Sequence, residues 1–259
     1  MASKEILIIS HKPPYPKIDG GSIAIAQVLE TLLEEGHHVT FLCIETDKHP
    51  AQTSFTKKNL KFKAVFVNTE LKIASVISNI FTKQSYILSR FDNKVFRDEL
   101  KIILKKNIFD TILFESLFTS SYLDTVNKLS NALKLYRSHN IEHHIWIEQS
   151  NQNQNILKKW YLKIQAKRLK NEEIKFWNTI DSILSISEND RSNIIKYCNT
   201  PTHTIGLHSE KRLLQNNDQS TKVDFFHIGT MNWLPNQDGI NWLLKDVFPK
   251  VKQKEKSAE

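Results

Sequence analysis

Apolar residues fall along this chain in short unbroken runs, separated by stretches that repeat with helical spacing, and that alternation predicts an α/β fold. Ile6-Leu7-Ile8-Ile9, inside the segment Glu5 to Ser10, is a continuous run bounded by a loop, the pattern of a strand buried on both faces of a parallel sheet. A loop with His11, Pro13, Pro14, Tyr15 and Pro16 leads to Asp19-Gly20-Gly21-Ser22. Ile25, Leu29, Leu32 and Leu33 then recur at helical spacing, with Ser22 read as the N-cap and Gly36 as the stop. Val39 to Ile44 is a second apolar run.

Strand, loop, helix and strand in that order open a doubly wound, Rossmann-like parallel sheet. The grammar repeats. Strands are predicted at Phe62 to Val67, Thr111 to Phe114, Leu133 to Tyr136, Ser182 to Ile186 and Thr202 to Ile205. Helices are predicted within Leu71 to Leu88, over Phe91 to Lys106, over about Asn155 to Asn178 and over Glu188 to Tyr197. Residues 1–206 are therefore expected to form one Rossmann-like domain. The polar stretch 207–222, with Gln215-Asn216-Asn217-Asp218, reads as a linker. Beyond it, 223–259 restarts with a strand Val223 to Ile228 and a helix from about Asn236 to Val251. One strand and one helix cannot enclose a core, so this part reads as the first βα unit of an incomplete second domain.

Composition narrows the class. Hydrophobic residues are 40% and charged residues 25% of the chain, an ordinary globular mixture. No apolar run reaches the roughly 18 residues of a spanning helix, and the N-terminal run is short for a signal peptide. The two cysteines, Cys43 and Cys198, fit reduced, buried thiols of a cytosolic protein. The net charge of +8 leaves phosphorylated substrates, anionic membranes and nucleic acid open as partners. The basic residues are spread over helices without a recognised nucleic-acid motif, so nucleic acid ranks low.

Four segments could carry chemistry. Asp19-Gly20-Gly21-Ser22 sits between a buried strand and its helix, where backbone N–H groups favour an anion; ligand contact and a plain tight turn both remain open. It is neither a GxGxxG fingerprint nor a Walker loop, which argues against a nicotinamide enzyme. Arg137-Ser138-His139-Asn140-Ile141-Glu142-His143-His144 leaves the C-terminal end of a strand, where open sheets bind ligands. His139 and His143 are spaced to share a helix face, yet no acidic or thiol partner stands at metal-ligand spacing, so no metal is expected. The helix Asn155 to Asn178 carries Lys158, Lys159, Lys163 and Lys167, read either as a solvated face or as a surface for anionic headgroups. Glu173 interrupts its apolar stripe of Leu162, Ala166, Leu169 and Phe176, which predicts that this face meets a polar cleft. Finally, Ile228-Gly229-Thr230-Met231-Asn232-Trp233 is a glycine loop ahead of a helix, either a phosphate-facing turn or a structural one.

Taken in order, these segments resemble the family 4 glycosyltransferases of the two-domain GT-B fold. The motifs are Tyr15-Pro16 to Asp19-Gly20-Gly21, Gly36-His37, Arg137-Ser138-His139-Asn140-Ile141-Glu142, Glu173 with Asp181, Ser187-Glu188 with Asp190, and Ile228-Gly229-Thr230-Met231 through Asn236. The nearest likeness is to bacterial sugar transferases of exopolysaccharide and capsule assembly. The resemblance implies retaining transfer from a nucleotide-sugar to a glycan or lipid-linked acceptor, with no bound cofactor or metal. It implies that Gly20 and Gly21 line the cleft by the donor phosphates. It places His139 at the reaction centre, with Asn140 and Glu142 in support. Gly229, Thr230, Met231 and Asn232 would form the donor-side loop. The family's later basic residue and paired glutamates have no counterpart in these 259 residues, so the chain alone is expected to be inactive. The expected location is the cytoplasm, peripheral on the inner face of the membrane. A non-catalytic acceptor- or membrane-binding module of the same fold is the alternative.

Overall fold

A computed structural model of the chain describes residues 2–52, 56–206, 225–229, 231 and 234–256. The chain divides into two compact units, Met1–His208 and Ser209–Glu259. In the first, β1 (Glu5–Ser10), α1 (Gly20–Glu34), β2 (His38–Glu45) and β3 (Leu60–Phe66) are followed by α2 (Ile73–Asn79), α3 (Tyr86–Ser89) and α4 (Lys94–Lys106). Then come β4 (Thr111–Glu115), a 3-10 stretch Leu117–Tyr122, α5 (Leu123–Leu129), β5 (Leu133–Ser138), α6 (Glu142–Gln152), α7 (Ile156–Trp177), β6 (Ser182–Ser185), α8 (Glu188–Ile194) and β7 (Thr202–Thr204). The strands form one seven-stranded sheet in the order β3-β2-β1-β4-β5-β6-β7, and all its pairings are parallel. This is the doubly wound, Rossmann-like α/β architecture that the alternation predicts.

The strand period of two divides the core. Leu7, Ile9, Leu42, Ile44, Ile112 and Phe114 face one side and pack with Phe96 and Leu100 of α4, Val126 of α5, and Leu169, Phe176 and Trp177 of α7. Ile6, Ile8, Phe41, Cys43 and Leu113 face the other side, under Ile25 and Leu29 of α1. Both faces are covered, which is why the strands read as continuous apolar runs. Cys43 and Cys198 are buried, free thiols.

Several boundaries differ from expectation for physical reasons. The cap of α1 is Asp19, not Ser22: Asp19 Oδ1 accepts the Ser22 N–H at 2.7 Å, and the Ser22 hydroxyl answers the Asp19 N–H as the other half of a capping box. Gly20 and Gly21 therefore belong to the helix. Gly36 ends it with φ +83°, a left-handed position suited to glycine, and the Gly36 and His37 N–H groups bond back to Leu33 and Leu32. β5 runs on to Ser138, so Arg137 and Ser138 are strand residues. Val95 points out of α4 into solvent.

The second unit holds α9 (Leu234–Trp242), one wide π turn Leu243–Val247 and α10 (Phe248–Lys254). Of the strand expected at Val223 to Ile228, residues 225–228 are not strand, since no neighbouring strand among the described residues pairs with them. The expected linker, 207–222, lies outside the described residues.

Candidate functional site

The site lies at the C-terminal rim of the sheet, where the strand order reverses between β1 and β4. Register places Ser10 of β1 beside Glu115 of β4, and Glu115 beside Arg137 of β5. Each continues an apolar row on the α1 side: Leu113 is followed by Glu115, Leu135 by Arg137. The adjacent strands β4 and β5 thus bring a carboxylate and a guanidinium together under the start of α1. Both are buried, and Arg137 Nη1 donates to Glu115 Oε1 at 3.1 Å and to the Ala24 carbonyl of α1 at 3.1 Å.

His139, one residue beyond β5, places Nε2 at 2.6 Å from Glu115 Oε2. Burial alone would raise the Glu115 carboxyl, but Arg137 and His139 outweigh it and hold the group below its ordinary range. An ionised Glu115 accepts, so Nε2 is the protonated nitrogen and Nδ1 carries the basic lone pair. A histidine backed by a buried carboxylate is an arrangement able to take a proton from a hydroxyl. His11, after β1, stands beside it with ring centroids 6.0 Å apart and contacts the Glu115 carbonyl through Nδ1 at 3.2 Å. Burial first, and then the charge of Lys12, keeps His11 well below the usual histidine range. Ser116, next to Glu115, has φ 75° and ψ 153°, a conformation that costs a non-glycine residue about 1–3 kcal/mol. Such strain clusters at working sites.

Asp19 does more than cap α1. Lys12 Nζ donates to both its oxygens at 2.8 Å, and His49 Nε2 lies 3.2 Å from Oδ2. Burial opposes the ionised form, but His49, Lys12 and the Ser22 N–H together hold this carboxyl far below the ordinary range. The Lys12 stem crosses Gly21 so closely that a Cβ there would lie 2.5 Å from Nζ. Gly21 is thus a contact glycine, and the N-terminus of α1 carries a nearly buried ammonium beside its N–H groups.

The remaining expected residues fall in separate places. Glu142 opens α6 and is buried; Asn140 hydrogen-bonds Glu142, and the carboxylate that meets His139 is Glu115. His139 and His143 do not share a helix face, because α6 begins after His139. His143 Nδ1 instead meets Glu173 Oε2 at 2.7 Å. Glu173 lies in no polar cleft: it is fully buried and accepts the backbone N–H groups of Glu142 and His143, each at 3.0 Å. Among the described residues, no group of three metal-ligating side chains could hold an ion. Lys158, Lys163 and Lys167 are exposed on α7, and Lys159 is half-buried with Nζ donating to the Asn151 carbonyl at 3.1 Å. Gly229 is tight against the Asn236 side chain, and Met231 is exposed. Thr230 and Asn232 lie outside the described residues.

Sequence reasoning overlooked Glu115, His11, Lys12 and His49. Glu115 had a signal: a lone acid directly continuing four strand residues, Thr111-Ile112-Leu113-Phe114.

Sheet order, two covered faces and a rim site define a doubly wound, Rossmann-like α/β unit. No family pattern matches the sequence, and no curated protein matches it. Among solved structures, sucrose-phosphate synthase from Thermosynechococcus elongatus superposes with a TM-score of 0.56 at 13% identity, over 80% of this chain and 48% of that one. The chain thus spans about half the length of that structure. Weaker likenesses are UGT2 of Phytolacca americana complexed with UDP-2-fluoro-glucose and pterostilbene (TM-score 0.48, 10% identity, 82% of this chain and 56% of that one) and UGT89C1 of Arabidopsis thaliana complexed with UDP-L-rhamnose (0.46, 15%, 95% and 55%).

Proposed function

We propose that this chain is the acceptor-side portion of a nucleotide-sugar-dependent glycosyltransferase, acting on a glycan or lipid-linked acceptor in cell-surface polysaccharide synthesis. The observation that carries the reading is the Glu115–His139 pair at the switch point of the sheet, with the Lys12 ammonium over Gly21 a few residues away on the same rim. His139 takes the proton of the acceptor hydroxyl, and Glu115 holds its ring and balances the imidazolium that forms. Gly20 and Gly21 offer backbone N–H groups to the phosphates of the donor as the nucleotide leaves, beside the Lys12–Asp19 ion pair. The stereochemical course implied by the resemblance is retention. Donor binding would draw on Gly229 and its neighbours. The chain carries no cofactor in this reading, and Lys158, Lys159, Lys163 and Lys167 of α7 face an anionic membrane on the cytoplasmic side. No helix among the described residues is long and apolar enough to cross a membrane.

The test is acceptor binding by the 259-residue chain, followed by NMR with short glycans and polyprenyl-phosphate-linked sugars. Binding should shift the amide signals of His139, Glu115, Gly20 and Gly21. His139→Ala should weaken it about tenfold, or ~1.4 kcal/mol, with the fold unchanged. Binding unaltered by His139→Ala, or no acceptor shifting these signals, would overturn the reading.

A further inference from the structure

We propose that Glu173 is a positioning residue: a buried carboxylate on α7 that supplies the missing cap of α6 and so holds the His139–Asn140 turn in place. The first N–H groups of any helix lack partners within the helix. In α6 the N-cap residue is Ile141, whose side chain cannot accept a hydrogen bond. Glu173 fills that role from the neighbouring helix. Its Oε1 takes the Glu142 N–H at 3.0 Å, and its Oε2 takes the His143 N–H at 3.0 Å while meeting His143 Nδ1 at 2.7 Å. Glu173 stands in the stripe of Ala166, Leu169 and Phe176, where an apolar side chain would pack without the cost of burying a charge. The acid is in that stripe for the N–H groups it caps.

The cap matters because the turn it closes is short. Only His139, Asn140 and Ile141 separate β5 from α6. Ser138 ends β5 in register with Ser185 and donates through Oγ to the Asn140 carbonyl at 2.9 Å. With Glu142 and His143 pinned by Glu173, both ends of the turn are held, and His139 is left where Glu115 reaches it at 2.6 Å.

A second acid makes the cap sensitive to pH. Glu142 is buried next to Glu173; burial first, and then the Glu173 charge, pushes it up to about 8. Burial pushes Glu173 up to about 8 as well, against the lowering by the His143 and Glu142 N–H groups, so the two acids titrate as a pair: the first charge falls on Glu173, whose oxygens both accept N–H donors, and the second on Glu142. The other groups facing the pair are Asn140 on the turn, Tyr136 on β5, His143 and His144 on α6, and Lys170 and Trp177 on α7. Lys170 does not neutralise the pair: its ammonium sits 4.6 Å from the centre of the Tyr197 ring. His143 Nε2 is buried without a hydrogen-bond partner, and burial takes this ring down to about 4, so it brings no charge either. Ionisation of Glu142 therefore sets two negative charges against each other at the start of α6.

The functional weight of this device rests on the proposed role of His139, but its test needs no substrate. Hydrogen exchange over residues 139–146 and the ring nitrogen signals of His139 are measured in the full chain. In Glu173→Gln, exchange over 139–146 should rise at least tenfold and the His139 signals should move away from those of a ring bonded to Glu115, with α4 unchanged. His139 signals identical to wild type would overturn the proposal, because the cap would then be structural only. Should Glu173→Gln fail to fold, wild type is compared with Glu142→Gln from pH 6 to 9. Exchange over 139–146, corrected for its intrinsic pH dependence, should accelerate several-fold above pH 8 in wild type and stay flat in Glu142→Gln. Equal behaviour of the two overturns it. Failure here leaves acceptor binding untouched, and failure of acceptor binding leaves this measurement readable.

Discussion

Glu115 and Arg137 each occupy the last position of an otherwise apolar row, and their pairing converts the end of the core into chemistry. Neither group could be buried alone, since removing one partner of a buried ion pair leaves a charge without compensation. Glu115→Gln keeps the size and strips the charge, leaving Arg137 buried with the Ala24 carbonyl as its remaining partner on that nitrogen. It should cost about 3–5 kcal/mol in urea unfolding. A loss under about 1 kcal/mol, the value of an exposed pair, would contradict the burial seen here. The strain at Ser116 belongs to the same place: the backbone turns sharply after Glu115, and the Ser116 N–H bonds to the Arg137 carbonyl at 3.1 Å.

Two helices show how the same local grammar serves different ends. α1 is anchored by Asp19, whose two oxygens are shared among a backbone N–H, Lys12 and His49, so the start of the helix and the charged rim are one structure. α7 has two faces. Its inner face carries Ala166, Leu169, Glu173, Phe176 and Trp177, all buried. Its outer face carries Lys163 and Lys167, and Lys158, Ile156, Leu157 and Trp160 are exposed at its first turns. Basic side chains beside exposed aromatic and aliphatic ones suit an anionic headgroup layer, at about 1 kcal/mol for each basic residue. Changing Lys158, Lys159, Lys163 and Lys167 together to Glu should abolish cosedimentation with anionic vesicles and leave the far-UV spectrum unchanged. Undiminished cosedimentation would remove the membrane from the proposal.

The unit Met1–His208 contains the whole seven-stranded sheet and both of its apolar faces. Every side chain of the rim cluster comes from within it. A chain ending at His208 should therefore unfold cooperatively with a midpoint within about 3 °C of the full chain, the shift that ~1 kcal/mol makes in a domain of this size. A markedly lower midpoint, or loss of cooperativity, would mean that the sheet depends on residues beyond it.

Period and punctuation were legible in the amino-acid order because they are local. Runs such as Ile6 to Ile9 announce strands buried on both faces, Gly36 announces a helix end, and Arg137 to Asn140 announces a rim segment after a strand. His139 was reachable by that route. Glu115 was not singled out, because an acid after an apolar run looks like the end of a strand until parallel pairing sets it beside Arg137, 22 residues later. Glu173 misled for a related reason: inside a helical stripe it suggests a wet face, whereas its partners are backbone N–H groups of another helix about 30 residues earlier. Hydrophobic period sets the class of each element and which of its sides is buried. Strand order and register set which ends meet, and burial there decides which charges must pair; neither is written in any single stretch of chain.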